Sequence, residues 1–135
     1  MSYKITEIEG IGPVYGTKLE AIGIKTTEAY LERAKDPHGR KALKEQTGID
    51  HALILKWANM ADLMRINGVG EEYSELLEAA GVDTVKELKH RNAFHLASTL
   101  AAVNEEKHLV RQVPSETQVA TWVKEANQLP AVMTY

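Results

Sequence analysis

The chain repeats one short glycine-containing motif almost unchanged, and this repeat restricts the fold more than any other feature. IEGIGPVYG, residues 8–16, is matched 58 positions later by INGVGEEYS, residues 66–74. Identical residues pair in this register: Ile8/Ile66, Gly10/Gly68, Gly12/Gly70, Tyr15/Tyr73, Leu19/Leu77, Glu20/Glu78, Ala21/Ala79, Gly23/Gly81 and Thr26/Thr84. Further on the register slips by seven residues, so that Trp57 pairs with Trp122 and Ala61 with Ala126. A duplicated unit, with an insertion in the second copy between residues 92 and 111, explains both registers.

The duplication predicts two units, residues 1–64 and 65–135, packed together as one compact body. A chain of 135 residues is long enough for one domain or two very small ones. Apolar residues make up 44% of it and charged residues 26%, which is typical of a globular protein and not of a disordered one.

Helix signals dominate both units. Pro13 directly after Gly12 predicts a helix start, because the missing N–H of proline costs nothing there, and Gly23 predicts the end of that helix. Further starts are predicted at Thr26, at Asp36 with Pro37, at Asp50, and at the capping-box pairs Thr84/Glu87 and Ser115/Gln118. No stretch shows sustained two-residue alternation. We therefore predict an all-α fold with about eight helices, short connections and no sheet.

The longest uncharged run, NAFHLASTLAAVN at residues 92–104, is too short and too polar to span a bilayer. Leu96, Leu100 and Val103 lie on one face of it, and we interpret it as a buried helix. The N-terminal MSYKITEIEG has no apolar core of signal-peptide length. The chain has no cysteine, which excludes disulfides and Cys-ligated zinc and fits a reducing compartment. We expect a soluble cytoplasmic protein.

The spacing hydrophobic-x-Gly-hydrophobic-Gly, followed by a helix, is the helix-hairpin-helix pattern. Through it the chain resembles a family of tandem helix-hairpin-helix proteins catalogued as domain of unknown function number 4332. The segments that carry this resemblance are IEGIGPVYGTKLEAIGI, TGID, ADLMRINGVGEEYSELLEAAGVDTVKELKHRN and VRQVPSETQVATWVKEANQLP. The resemblance implies two tandem units of the SAM-like fold. The wider fold group is similar to the hairpin domains of DNA repair enzymes and of flap-endonuclease-like nucleases, in the hairpins only.

A helix-hairpin-helix turn is able to bind phosphate, because glycine lets the backbone approach closely and the amides at the helix start donate to phosphate oxygens. The first copy has this turn and a lysine one helical turn beyond it. A basic cluster follows, Arg33, Lys35, Arg40, Lys41 and Lys44, for which a solvated helix face is the alternative interpretation. The residues predicted to contact phosphate are Gly10, Ile11, Gly12, Val14, Tyr15, Lys18, Arg40, Lys41 and Lys44.

The second turn, Gly68, Val69 and Gly70, is predicted to be structural. Glu71 and Glu72 follow it, where they suit the helix dipole and repel a phosphate. Glu9 also opposes phosphate binding at the first turn. The net charge is −3, all of it in residues 65–135, since residues 1–64 are formally neutral. A strong basic field that would attract nucleic acid is therefore excluded.

No residue pattern predicts catalysis, a metal or a cofactor. The five histidines, His38, His51, His90, His95 and His108, lack the spacing that places two on one helical face. The acidic residues form no recognisable two-metal nuclease set, and neither a P-loop nor a dinucleotide fingerprint occurs. Tyr15, Tyr73, Trp57 and Trp122 suit either base stacking or core packing, and their matched positions in the two copies favour the core. We expect that the protein is not an enzyme.

Three functions remain compatible with the sequence. The first is a non-catalytic module that binds DNA or RNA backbone phosphates, without sequence specificity, through the first hairpin. The second is a helical protein-interaction or adaptor module that has lost the phosphate contacts. The third, an accessory subunit that positions a separate enzyme on DNA, combines the two. The expected partners are thus a nucleic-acid backbone or another protein, and no membrane.

Overall fold

The computed structural model describes residues 3–135, and within this range the chain forms eight α-helices. A 3-10 helix, Ile5–Glu7, precedes them. They are α1 (Pro13–Ala21), α2 (Thr27–Ala34), α3 (Pro37–Thr47), α4 (His51–Leu63), α5 (Glu71–Ala79), α6 (Val85–Leu88), α7 (Ala93–Lys107) and α8 (Glu116–Ala126). The only extended pairing in the described range is an isolated antiparallel bridge between Lys4 and Thr26. The predicted all-α fold without a sheet is confirmed for these residues.

The two glycine motifs have the same backbone conformation. Gly10 has φ of +95° and Gly68 has φ of +88°, a region that side chains with a Cβ rarely adopt. Gly12 and Gly70 then have extended conformations and precede α1 and α5, which each contain nine residues. We call Gly10–Gly12 the first glycine turn and Gly68–Gly70 the second glycine turn.

The hydrogen bonds around the two turns also follow the 58-residue register. Equivalent amides donate to equivalent carbonyls: Ile11 to Ile8 (3.0 Å) and Val69 to Ile66 (3.1 Å), Gly16 to Gly12 (2.8 Å) and Ser74 to Gly70 (2.9 Å), Ile24 to Leu19 (3.0 Å) and Val82 to Leu77 (2.9 Å). The copies therefore share their backbone bonding as well as their sequence motif.

Each glycine turn rests on a buried tryptophan. A Cβ added to Gly10 would lie 3.3 Å from the indole nitrogen of Trp57, and one added to Gly68 would lie 3.5 Å from that of Trp122. A tyrosine packs against each indole: the ring centroids of Tyr15 and Trp57 are 5.2 Å apart, as are those of Tyr73 and Trp122. Both indoles are almost completely buried, and the partly buried tyrosines pack against the cores that contain them, so the predicted core packing of the four aromatic side chains is confirmed.

The buried side chains form two clusters that meet at the end of α4. The first core contains the 3-10 helix, the first glycine turn and the buried faces of α1 to α4. The second core contains the second glycine turn and the buried faces of α5 to α8. Neighbouring α4 residues divide between them, since Met60 and Met64 pack in the first core and Leu63 in the second.

The two copies differ mainly beyond their first helices. α7 has 15 residues where α3 has 11, and a longer segment connects it to the next helix. α6 has four residues where α2 has eight. The additional length of the second copy thus lies in α7 and the segment after it, which agrees with the predicted insertion.

Most predicted helix caps are present, with two exceptions. Four side chains accept a hydrogen bond from the amide three residues on: Thr26 from Ala29 (3.0 Å), Asp36 from Gly39 (2.7 Å), Thr84 from Glu87 (3.2 Å) and Ser115 from Gln118 (3.1 Å). Asp50 precedes α4 but its side chain makes no capping bond. Within residues 3–135 the side chains of Glu87 and Gln118 do not return a bond, so each predicted capping box is half formed.

The prediction of a buried helix over the uncharged run is wrong. α7 packs against α8 and α5 through one face, with Leu96 and Leu100 buried. Its other face lies on the surface, where Phe94 is 59% exposed and Ala101 is also exposed. The absence of charge in this run therefore reflects small side chains on a surface helix and not burial on all sides.

A buried carboxylate connects α4 to the second core. Asp62, 1% exposed, accepts hydrogen bonds from the Val85 amide (2.8 Å) and from the Arg65 guanidinium (2.7 Å). The amide equivalent to Val85 in the first copy is that of Thr27, which donates to the Tyr3 carbonyl at 2.8 Å. A side chain therefore takes the place of a backbone acceptor at the start of α6.

The close contact between glycine and indole predicts a different tolerance to alanine at the two ends of the first turn. We expect Gly10→Ala to lower the free energy of unfolding by about 1–2 kcal/mol, because alanine is strained at positive φ. Gly12→Ala should cost less, about 0.5 kcal/mol, which is the loss of a favourable N-cap residue, because its φ is negative and no atom lies within 4 Å of the added methyl. Urea denaturation measures both, and equal losses would contradict the proposed packing.

The position of Asp62 predicts a large effect of its removal. We expect Asp62→Ala to destabilise the protein by about 2–4 kcal/mol, because it leaves the Val85 amide and the Arg65 guanidinium without their acceptor. Asp62→Asn retains an acceptor for the amide and should cost less, about 1–2 kcal/mol. Equilibrium unfolding of both variants checks the order, and a loss in Asp62→Ala no greater than in Asp62→Asn would argue against the buried connection.

Candidate nucleic-acid interface

The first glycine turn leaves two backbone amides at the start of α1 without an acceptor in the helix. Gly16 is the first residue whose amide bonds back along the helix, to the Gly12 carbonyl at 2.8 Å. Pro13 has no amide hydrogen, so the N–H groups of Val14 and Tyr15 are the donors that α1 presents. The Ile11 side chain is buried beneath them, which fixes the turn to the first core. This arrangement is a suitable receptor for an anion.

The surface in front of these amides is open and carries one lysine. Nothing lies within 4 Å of a Cβ added to Gly12, and Val14 is 68% exposed. Lys18 follows one turn into α1, is exposed, and forms no ion pair with the described residues. Thr17, beside it, donates its hydroxyl to the Pro13 carbonyl at 2.7 Å, so it is already engaged within the helix.

The second glycine turn presents the equivalent amides to an acidic environment. Glu71 and Glu72 occupy the first turn of α5, and Glu72 lies 3.9 Å from Arg111. Tyr3 and Glu7, from the beginning of the chain, line a cavity of about 240 Å³ together with Gly70 and these two glutamates. The same backbone is thus partly covered by the first copy and surrounded by carboxylates.

The carboxylates at this position influence one another across the two copies. Partial burial raises the pKa of the Glu71 carboxyl, and the negative charges of Glu9 and Glu7 raise it further. Burial also raises the pKa of Glu75, to which Glu9 contributes next, while Lys56 acts in the opposite direction. Glu9, next to the first glycine turn, therefore belongs to an acidic patch formed with Glu7, Glu71, Glu72 and Glu75.

The prediction that Arg40 contacts phosphate is wrong. Arg40 is 2% exposed, and its guanidinium donates to the carbonyls of Ala34 (2.8 Å) and Thr134 (2.7 Å). It is directed into the first core because the C-terminal residues return to this copy and supply a carbonyl acceptor. The sequence contains no local signal for this contact, since the two partners are 94 residues apart.

The other members of the predicted basic cluster divide between internal contacts and the surface. Arg33 donates to the Gln46 side chain at 2.7 Å, and Lys35 forms an ion pair with Glu32 at 3.0 Å. Lys41 and Lys44 are exposed on α3, which packs against α2 and α4. These two lysines line a shallow surface depression with Glu45 and His51.

Sequence reasoning missed Asp62, Arg65 and the C-terminal residues. Arg65 donates to both the Asp62 carboxylate and the Pro130 carbonyl, at 2.7 Å and 2.8 Å. A signal for the first contact was present, because an acid in an apolar helix followed three residues later by arginine suggests a local ion pair. No comparable signal marks the second contact.

In residues 3–135 no group of three His, Asp or Glu side chains is arranged to hold a metal ion. The same residues contain no helix with both the length and the apolar character needed to cross a bilayer.

One protein family matches residues 9–129, the family described as Domain of unknown function (DUF4332). The chain belongs to this family. The DUF4332 match begins before the first glycine turn and ends after α8, so it covers both glycine turns and all eight helices of the described residues. Neither the curated proteins nor the solved structures contain a match to the chain.

The raised pKa of Glu75 predicts that removing its carboxyl increases the free energy of unfolding in a pH-dependent way. A carboxyl with a raised pKa binds its proton more tightly in the folded state, so its ionisation destabilises the fold as pH rises through the folded-state pKa. We expect Glu75→Gln to stabilise the protein at about pH 7 by only a few tenths of a kcal/mol, because solvent screens the charges. The difference should vanish below about pH 4, where the carboxyl is protonated in both states.

Chemical denaturation at the two pH values measures this difference. Glu105→Gln, which neutralises an exposed glutamate on α7 outside the acidic patch, is the matched control and should show no comparable pH dependence. A stabilisation by Glu75→Gln that is the same at both pH values would show that charge is not its cause.

Proposed function

We propose that this chain is a non-catalytic tandem helix-hairpin-helix protein, with units 1–64 and 65–135, that binds the phosphates of a DNA or RNA backbone through the first glycine turn. The observation that carries this proposal is the contrast between two turns of equal backbone. Gly12 is exposed and Lys18 follows it, whereas Gly70 is partly buried and Glu71 and Glu72 follow it.

In this proposal the amides of Val14 and Tyr15 donate to the oxygens of one phosphate. The N-terminal end of the α1 dipole favours the negative charge, and Lys18 neutralises it. The exposed Val14 side chain contacts the adjoining sugar. Backbone amides and one ammonium group position a phosphate without reading bases, so binding is independent of sequence. None of these groups supplies a nucleophile or a general base, in keeping with a module that binds and does not catalyse.

The charge distribution sets the strength of this binding. Since Arg40 is buried, the proposed contacts are Lys18 at the turn and, for a longer strand, Lys41 and Lys44 on α3. Binding that releases counterions from one or two phosphates has a salt slope of about −1 to −2 in log K against log salt. The acidic patch repels the rest of the strand, so we expect weak binding that requires low salt.

A protein-interaction or adaptor module is the second candidate function, and the burial of Arg40 favours it. This burial removes one cation from the surface and uses it to hold an extended segment of polypeptide. The exposed Phe94 on α7 adds an apolar contact site. For either function we propose the reducing cytoplasm as the compartment, because the chain has no cysteine.

Fluorescence anisotropy with short labelled single-stranded and duplex oligonucleotides at low salt tests the first proposal. We expect micromolar binding that weakens at least about tenfold, about 1.4 kcal/mol, in Gly12→Glu and in Lys18→Glu. Glutamate at position 12 places a negative charge against the proposed phosphate site. Glutamate at position 18 reverses the charge of the neutralising lysine.

Two matched controls separate a local effect from a general change of charge. Gly70→Glu makes the equivalent change at the second glycine turn, and Lys124→Glu makes the same charge reversal on the exposed side of α8. Both should bind nearly as well as wild type. No binding by the wild type, or equal losses in controls and test variants, would eliminate the first glycine turn as a phosphate site.

A further inference from the structure

The C-terminal segment leaves the second copy and binds to the first. We call residues 128–135 the tail. Beyond Pro130 it has no regular secondary structure, although nearly all the rest of the described chain is helical or turns between helices. Met133 is 9% exposed and packs in the first core, with the partly buried Val132 beside it. The tail is thus a non-helical segment that contacts the C-terminal end of α2 and residues of α3 and α4, and we call the surface that it occupies the groove.

The groove recognises the tail mainly through its backbone. The Thr134 amide donates to the Lys35 carbonyl at 2.8 Å, and the Thr134 carbonyl accepts from Arg40 at 2.7 Å. The Pro130 carbonyl accepts from Arg65 at 2.8 Å. Because these bonds use peptide groups, they would form with an extended segment of another sequence. Met133 is the only tail side chain that is buried, so it supplies most of the side-chain selectivity.

The burial of Arg40 indicates that the groove requires a bound peptide to satisfy its hydrogen bonds. A buried guanidinium is costly unless its donors are satisfied. Arg40 has no carboxylate partner among the described residues, and its Nε has no hydrogen-bond partner. One of its two acceptors, the Thr134 carbonyl, belongs to the tail, and the ring of Tyr135 lies 5.5 Å from the guanidinium carbon. A peptide with an aromatic residue therefore supplies the remaining contacts of the Arg40 side chain.

The end of the tail is held less tightly than Met133. Tyr135 is 69% exposed and donates its hydroxyl to the Asn59 side chain at 2.8 Å. A cavity of about 350 Å³ adjoins the tail at Leu129 and Val132 and is lined on the other side by Leu31, Ala61 and Arg65, among others. The cavity beside the tail and the exposed Tyr135 side chain provide two places where another segment begins to displace it.

We propose that this groove is a receptor for an extended peptide of a partner protein, and that the tail is its built-in competitor. The partner segment presents an unbranched apolar side chain, methionine or leucine, to the site of Met133, and an aromatic ring two residues later to Arg40. This inference rests on the second candidate function, protein interaction. Because the tail belongs to the same chain, its effective concentration is in the millimolar range, and a free peptide binds well only when the tail is weakened.

Binding of a labelled synthetic peptide with the sequence LPAVMTY, residues 129–135, to the full-length chain tests the proposal. In Met133→Glu the chain's own tail would have to bury a carboxylate, so the groove should be vacated. The peptide should bind this variant at least about tenfold more tightly than the wild type. Tyr135→Ala removes the ring beside Arg40 and the hydrogen bond to Asn59 but leaves Met133 in the first core, so it should give a smaller gain and a folded protein. A peptide carrying glutamate in place of its methionine is the matched control and should bind neither variant.

Amide hydrogen exchange at Thr134 shows independently whether the tail has been released. Rapid exchange at Thr134 with a protected second core, but no peptide binding, would overturn the groove as a receptor. Equal binding of the two peptides would also overturn it. Dimers of the wild type that disappear in Met133→Glu would assign the groove to the tail of a second copy. A protein that the chain captures from a nuclease-treated extract, and that Phe94→Ala no longer captures, would support the protein-interaction function even if the groove failed these tests.

Discussion

The contact between a glycine at positive φ and a buried indole determines the architecture of this protein. A Cβ at Gly10 would lie in tight contact with the indole of Trp57 and one at Gly68 in ordinary contact with that of Trp122, and the positive φ of both positions disfavours any residue with a Cβ. The tyrosine one turn beyond each glycine completes the packing. With the turn fixed in this way, the following helix begins directly after Gly12 or Gly70, and its first amides have no acceptor within the helix. A geometry suited to anions is therefore a consequence of core packing, and it is present in both copies whether or not either binds a ligand.

What distinguishes the copies is the chemistry placed around an unchanged backbone. The first helix begins with proline and valine, and the fifth with two glutamates. Those glutamates stabilise their own helix through its dipole. They also form an acidic patch with Glu9, which restricts the direction from which a strand could approach the first turn. Duplication followed by such local divergence has placed one backbone turn in two different chemical environments.

Local features of the fold were predictable, and long-range ones were not. The duplication, the glycine turns and the caps at Thr26, Asp36, Thr84 and Ser115 depend on residues within a few positions of each other, so the sequence contains the information. Asp62 and Arg40 depend on partners brought close by the packing of the two copies and the return of the tail. The sequence neighbourhood of Arg40 resembles that of an ordinary surface charge, and the one local signal at Asp62 concerns Arg65 and not Val85. Arg40 was therefore assigned to the surface, and the uncharged α7 to the interior.

Titration of the nitrogen-15-labelled chain with a short single-stranded oligonucleotide, followed amide by amide by NMR, tests the central claim most directly. Two turns of the same backbone respond to the same ligand within one molecule, so each acts as a reference for the other. The account predicts that the amide resonances of Val14 and Tyr15 move with added oligonucleotide while those of Glu72 and Tyr73 stay in place. Equal movement at both turns, or movement at neither, would contradict it.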